Sequence, residues 1–550
     1  MVATNRNAPA GGTARGAGDE HGGALNGEYS SPGGLEVSDQ AVRPEVEVED
    51  GDLHKILDRI DEILGRSDPP VIFRKGTVLV AVIDTACRPQ DQETNAPSSM
   101  VLTTAGLRDR LNRAIRFKKW DGRQKDTKDI DCPMPVAQAF RERGEYRHVP
   151  EVTALAEAPV LLPNGRIIEQ GGYDRHTGIY LAGAPEQGFE VTRFGDPDPE
   201  DSLQYLRGVL EEFPFRTPAD ESAAIAALLT VLVSPGLTAV PLCAFNAESP
   251  GVGKSTGVRC IGITATGRHI SALGWSRDEA EAEKRIHGAV LSGDPVLNID
   301  NVESALFGQA LCQLTSEPKI SVRQLGGSAL FTVPARVALY ATGNNLVIKG
   351  DLTRRVIVCR LYSGVERPEQ RTFKRDIVEY VRRHRQNVIR HLLAIPRAYL
   401  AAGSPDVKIP AFGSFEDWDR LVRRPLVWLG MEDPRAPAEE IRAEDPERQE
   451  LRALLQAWHA HFGREPQTAA EVIRAATETY PRMDGSTADD APELSEAVAG
   501  VCTTRNGPKM DARTLGYALR RHCDRIESGL RLERAGNSRT NVIRWQVVEA

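Results

Sequence analysis

The chain has no C-x-x-C pair. Its eight cysteines stand singly at Cys87, Cys132, Cys243, Cys260, Cys312, Cys359, Cys502 and Cys523. Single spacing excludes a zinc knuckle or a disulfide framework and fits reduced thiols in a cytoplasmic protein. No basic-then-apolar leader opens the sequence, and no apolar run reads as long enough to cross a bilayer, so neither secretion nor a membrane partner is expected. Excess positive charge is missing too. Lys and Arg number 69 against 77 Asp and Glu, a net −8. Any nucleic-acid surface must therefore be local. Internal repeats are absent. Residues 46–200 hold neither a cysteine ribbon nor a paired-aspartate strand motif, so no primase is visible.

At 550 residues the chain is too long for one core, and two to four domains are expected. Residues 1–45 are rich in Gly and Ala, with Ser and Asn, lack an apolar period, and read as a disordered tail. Residues 46–200 read as an α+β domain. In it "LHKILDRIDEILGR" has helical spacing, Lys75-Gly76 turns between two strands, and Asn164-Gly165 and His176-Thr177-Gly178 make further turns. From about residue 238, short apolar runs alternate with helical patterns: "AVPLCAF", "PVLNID", "RVALYAT" and "RVIVCRL". Runs of this kind suit strands buried on both faces of a parallel α/β sheet. The expected layout is a P-loop α/β core at 201–371, a helical extension at 372–432 and a linker at 433–449. A winged-helix-like domain at 450–550 closes the chain.

"FNAESPGVGKST" carries the chemistry. A strand ending at Phe245, a tight turn and a helix opening at Lys254 aim backbone N–H groups and a helix dipole at one point. Pro250, Gly251, Val252, Gly253, Lys254, Ser255 and Thr256 form the expected ATP-binding loop. Gly251 and Gly253 supply the bend, Lys254 reaches the β- and γ-phosphates and Ser255 holds Mg²⁺. Position 248, where the usual pattern has glycine, holds Glu248. "PVLNIDNVES" ends a strand on Asp300, where the Mg²⁺ water shell needs a carboxylate. Asn301 follows, where many ATPases place the glutamate that polarises water. Glu303, Glu281 and Glu283 are the alternatives. "LYATGNN" brings an amide, Asn344 or Asn345, to another strand end. "GDLTRRV" places Arg354 and Arg355 before a strand, as an arginine reaching the transferring phosphate from a neighbouring subunit requires.

The order GKST, NIDN, VRQLG, ATGNN and GDLTRRV resembles the ATPase part of phage- and mobile-element-encoded primase-helicases, which are similar to superfamily III and other AAA+ helicases. The resemblance spans about 50–440, with specific motifs across 245–360. It implies an AAA+ fold, a homo-hexameric ring, ATP and Mg²⁺ between subunits, and translocation on DNA. Lys254 and Ser255 then take the phosphate-loop roles, Asp300 the Mg²⁺ role, Asn344 the sensor role and Arg354 or Arg355 the finger in trans. Glu248 and Asn301 are the two departures. Asn301 leaves the catalytic base open.

Two segments are candidates for the polymer. "EPKISVRQLGGSALFTVPARV" reads as a hairpin before the sensor strand, with Lys319 and Arg323 to track phosphates. "DARTLGYALRRHCDRI" places Leu515, Leu519 and Ile526 on one helical face and Arg513, Arg520 and Arg521 elsewhere, ahead of a hairpin with Arg539 at its turn. Residues 511–550 hold eight arginines against five acids, a local +3. The expected activity is an ATP-dependent DNA helicase acting on single-stranded or forked DNA, with a separate primase or replication protein as partner. The rivals are a nucleotide-gated loader or switch, and a DNA-binding ATPase of defence or transposition.

Overall fold

The apolar runs become strands of one sheet: β1 (Leu242–Ala247), β2 (Ala272–Gly274), β3 (Val296–Val302), β4 (Ala338–Asn344) and β5 (Val356–Leu361). In the computed structural model their order is β2-β3-β4-β1-β5, and every neighbouring pair is parallel. The structure describes residues 43–83, 97–182, 189–193, 195–323, 330–443, 446–481, 487–489, 491–504, 507–538 and 541–550. The chain is a mixed α/β protein. β2 went unanticipated because a three-residue edge strand with no buried position carries no apolar run.

Both faces of the sheet are covered. Cys243, Phe245 and Ala247 of β1 share one core with α1 (Pro218–Val233), α2 (Lys254–Thr266) and the helix Arg385–Ala401. Leu242 and Ala244 point the other way, into a core with Ile286 and Val290 of α3 (Glu279–Ser292) and with Phe73, Val78 and Val80. Each fully buried aliphatic side chain contributes about 1.5–3 kcal/mol. That double burial explains the unbroken apolar character of these strands.

Helix α1 corrects one expectation. Pro218–Gly236 is long and apolar enough to cross a membrane by length and composition, with mean hydropathy 1.2. Every residue of α1 except Pro218 and Glu221 is buried inside the protein. A helix apolar on all sides is what a fully enclosed position in a large core requires. Thr217 and Asp220 form a capping box at its start, and Asp220 also accepts from Arg360 of β5 at 3.1 Å.

The amino-terminal part is ordered earlier than expected. A strand, Glu45–Glu47, pairs in parallel with Arg116–Asp121, which pairs with Asp126–Ile130; residues 1–42 of the expected tail lie outside the described residues. Lys75, at the predicted turn, is 5% exposed. Its Nζ donates to the Val290 carbonyl at 2.6 Å and to Ser99 Oγ at 3.3 Å, at the carboxyl end of α3. Burial pulls its pKa down to about 8, against the opposing pull of Asp294.

The stretch 433–449 is more than a linker. It contains the helix Ala436–Ala443 and the start of Pro446–Phe462. Ala438 is 4% exposed and Glu440 bonds Arg360. Its charge and proline content hid one apolar stripe. The last hundred residues have their own core around Trp458, Leu515 and Trp545. There the helix Ala512–Arg521 leads into a hairpin, Leu530–Asn537 with Ile543–Glu549. Ile526, expected on that helix's apolar face, lies beyond its end and is 54% exposed.

Candidate nucleotide site

The chain leaves β1 at Ala247 and enters α2 at Lys254. Gly251 has φ +80° and Gly253 +118°, a region closed to most side chains. A Cβ at Gly251 would also lie 3.1 Å from the Glu369 backbone nitrogen. Val252 between them is 2% exposed and anchors the loop in the core. Glu248 is not among the residues with positive φ, so glycine is not needed there. Its carboxylate lies 3.4 Å from Arg216.

Lys254 is buried. Its Nζ donates to the Ser249 carbonyl at 3.1 Å and to Asn344 Oδ1 at 2.5 Å. Burial lowers its pKa, and the nearby Asp300 carboxylate works against that. An ammonium held out of water gains more from an arriving anion than a hydrated one does. Asp300 Oδ1 accepts from Ser255 Oγ at 3.2 Å and from Thr342 Oγ1 at 2.5 Å. One carboxylate oxygen thus ties together the first turn of α2 and the ends of β3 and β4. These are carboxyl ends of parallel strands, the edge where open α/β sheets bind ligands.

Thr342 was not among the expected site residues. It is 1% exposed, and its signal in the sequence was spacing. Two residues before Asn344 on one strand, it shares that residue's face.

Asn301 has φ +53° where the pairing of β3 with β4 shifts register. Asparagine tolerates this left-handed conformation far better than most residues. Its backbone N–H donates to Thr342 Oγ1 at 2.9 Å, and its Nδ2 donates to Glu303 Oε1 at 3.2 Å. Of the alternative acids, Glu303 is the one joined to this cluster. Glu281 pairs with Lys284 and Arg285, and Glu283 lies 3.6 Å from His287, all on α3.

Arg354 and Arg355 stand elsewhere. The Arg355 carbonyl accepts from Leu242 at the amino end of β1. A six-residue strand puts them roughly 20 Å from the loop, at the opposite end of the sheet. Both guanidinium groups pair with Asp351, that of Arg355 at 2.9 Å. They do not complete the cluster within one chain.

Beside the loop is a cavity of about 210 Å³, lined by Phe213, Val252, Gly253, Thr256, Phe373 and Ile377. Phe213 and Phe373 were not anticipated, because an isolated phenylalanine reads as core in a sequence.

The hairpin expected before the sensor strand is present, Lys319–Arg323 with Leu330–Pro334. Lys319 lies at its base opposite Pro334, 3.6 Å from Glu151. Arg323 ends the first strand; its side chain, the turn at 324–329 and Arg539 lie outside the described residues. Arg513 and Arg520 flank the Tyr517 ring at 5.9 and 5.7 Å, and Tyr517 is 57% exposed. Arg521 contacts His522 Nε2 at 3.2 Å.

No family model and no curated protein matches the chain. Among solved structures it is similar to the A-form apo structure of the NrS-1 C-terminal region, at 11% identity and TM-score 0.34. That match covers 77% of this chain and 91% of the other. A shorter form of that region, 305–718, matches at 11% and TM-score 0.30, covering 63% and 75%. JCV helicase with a bound phenoxyphenyl acetamide matches at 12% and TM-score 0.20, covering 44% and 73%. At such values the chemistry rests on this chain's own residues.

Proposed function

We propose that the chain is an ATP-hydrolysing DNA motor of the helicase type, working as a ring of identical copies on single-stranded or forked DNA. The observation that carries the proposal is the convergence of Lys254, Ser255, Asp300, Thr342 and Asn344 at one edge of the sheet. The residues fit Mg-ATP. Two glycines in the left-handed region let the backbone approach phosphate, and a desolvated lysine faces the same point. Ser255 and Asp300 are the Mg²⁺ ligands in this reading, and the bound ion would neutralise phosphate charge.

Each residue then has a task. Lys254 holds the terminal phosphates, and Asn344 orients Lys254 and the attacking water. Glu303, held by Asn301, accepts the water's proton. The 210 Å³ cavity between Phe213 and Phe373 receives the base. Arg354 and Arg355, remote from their own loop, serve the site of the next copy. The hairpin at 319–334, and the carboxyl-terminal helix and hairpin read as a winged helix, meet DNA.

The test is DNA-stimulated ATPase activity of the full chain beside Lys254→Ala, with displacement of a labelled strand from a forked duplex. Stimulation and displacement that both vanish in the variant are expected. Hydrolysis without DNA stimulation or displacement would instead favour the nucleotide-gated switch.

A further inference from the structure

The hairpin Arg116–Ile130 in the amino-terminal part is assigned no role by the nucleotide site. Its strands alternate faces. Phe117 points into the core at 1% exposure, and Trp120 points out at 56%. The other aromatic side chains of that core, Phe140 and Tyr146, are buried as well. The hairpin is well formed around Trp120. Trp120 pairs with Thr127, Asp121 with Asp126, and the Asp121 carboxylate accepts from the Arg123 N–H at 3.0 Å. Lys125 sits in the turn at φ +52°.

The charge is local and positive. Residues 116–130 carry six Lys and Arg against three Asp, +3 on a chain of −8. Four of the six are tied: Arg116 and Lys118 to Glu45, Lys119 to Asp50, Lys128 to Asp121. Arg123 and Lys125, at the tip beside Trp120, make no ion pair among the described residues. Trp120 is also the hairpin's only exposed large apolar side chain. A protein-docking face is commonly marked by a contiguous apolar patch of several hundred Å². A lone indole beside a cationic hairpin tip instead suits a flat base with phosphates next to it. Bases inside a duplex have their faces covered by neighbours; unpaired bases do not.

We propose that this hairpin is a single-stranded DNA contact, with Trp120 stacking on an unpaired base and Arg123 and Lys125 meeting the flanking phosphates. It shares the DNA partner with the motor reading but not the ATP site, so the two are tested apart.

The experiment measures binding of a fluorescent oligothymidylate to the full chain without nucleotide. Wild type is compared with Trp120→Ala, Trp120→Phe, Arg123→Gln/Lys125→Gln and Lys254→Ala. Trp120→Ala should weaken binding about 5- to 100-fold, the range for loss of one stacked base. Trp120→Phe should recover most of it. The double variant should lower the slope of log affinity against log salt by about 1.4, two phosphates at about 0.7 each. Lys254→Ala should bind as wild type even if its ATPase activity is lost. Unchanged melting of Trp120→Ala keeps a folding defect apart from a lost contact. Equal affinity of wild type and Trp120→Ala for the oligothymidylate overturns the proposal and leaves a protein partner for Trp120. Equal competition by blunt duplex overturns the single-strand assignment.

Discussion

Lys254 Nζ lies 2.5 Å from Asn344 Oδ1, so the lysine that opens α2 is held by the end of the strand beside it. Lys254 starts α2 and Asn344 ends β4, 90 residues apart in sequence. Asn344→Ala should leave ATP affinity within a few-fold and lower kcat about 10²- to 10³-fold, the usual loss for one preorganised donor. Lys254→Ala should lose binding itself. Nucleotide titration and steady-state ATPase rates separate the two outcomes.

Glu303 is the acid joined to the cluster through Asn301. Glu303→Gln should cut kcat about 10²- to 10⁴-fold, the range for a general base, with ATP still bound. Asn301→Ala acts by positioning and should cost less. An unaltered rate in Glu303→Gln would assign water activation elsewhere.

Asp351 pairs with both Arg354 and Arg355 inside one chain. If these arginines serve a neighbour, Arg355→Ala should lower hydrolysis about 10³-fold and keep ATP binding. Adding the Lys254→Ala protein to Arg355→Ala should restore part of the rate, because mixed rings contain intact composite sites. Asp351→Asn should raise the rate at low protein concentration by freeing the guanidinium groups. A rate independent of protein concentration would argue against a shared site.

Lys75 gives a pH signature. Its folded pKa is lowered to about 8 by burial, from 10.5. The folded state therefore gives up the proton first as pH rises. Its contribution to stability is least favourable below pH 8, grows through pH 8 and levels off above about 10.5. The stability of wild type relative to Lys75→Met should rise by about 2–3 kcal/mol across that window. Denaturant unfolding at pH 7.5 and pH 10 measures it; a flat difference would mean the ammonium is not buried against α3.

The strand, glycine turn and helix around Lys254 were legible because the pattern is local: glycine, lysine and hydroxyl lie within a few residues and need only a strand before and a helix after. The four core strands were legible from burial on both faces. Thr342 offers only its spacing from Asn344; its bonds to Asp300 and Asn301 form where β3 and β4 shift register, which no local pattern encodes. The burial of α1 on all sides and the helix Ala436–Ala443 are harder to read from the sequence. Apolar length alone does not say what surrounds a helix, and charged composition can hide a single buried stripe.

By itself, then, the sequence determined the loop, the parallel strands and the order in which the polar residues arrive at strand ends. These follow from backbone preference and burial along the chain. Tertiary structure decided which of those residues meet. It brought Lys254 to Asn344 and two hydroxyls to Asp300, placed Arg354 and Arg355 at the far end of the sheet, and turned Trp120 outward. Strand order and register set such contacts, and they depend on the packing of segments distant in sequence.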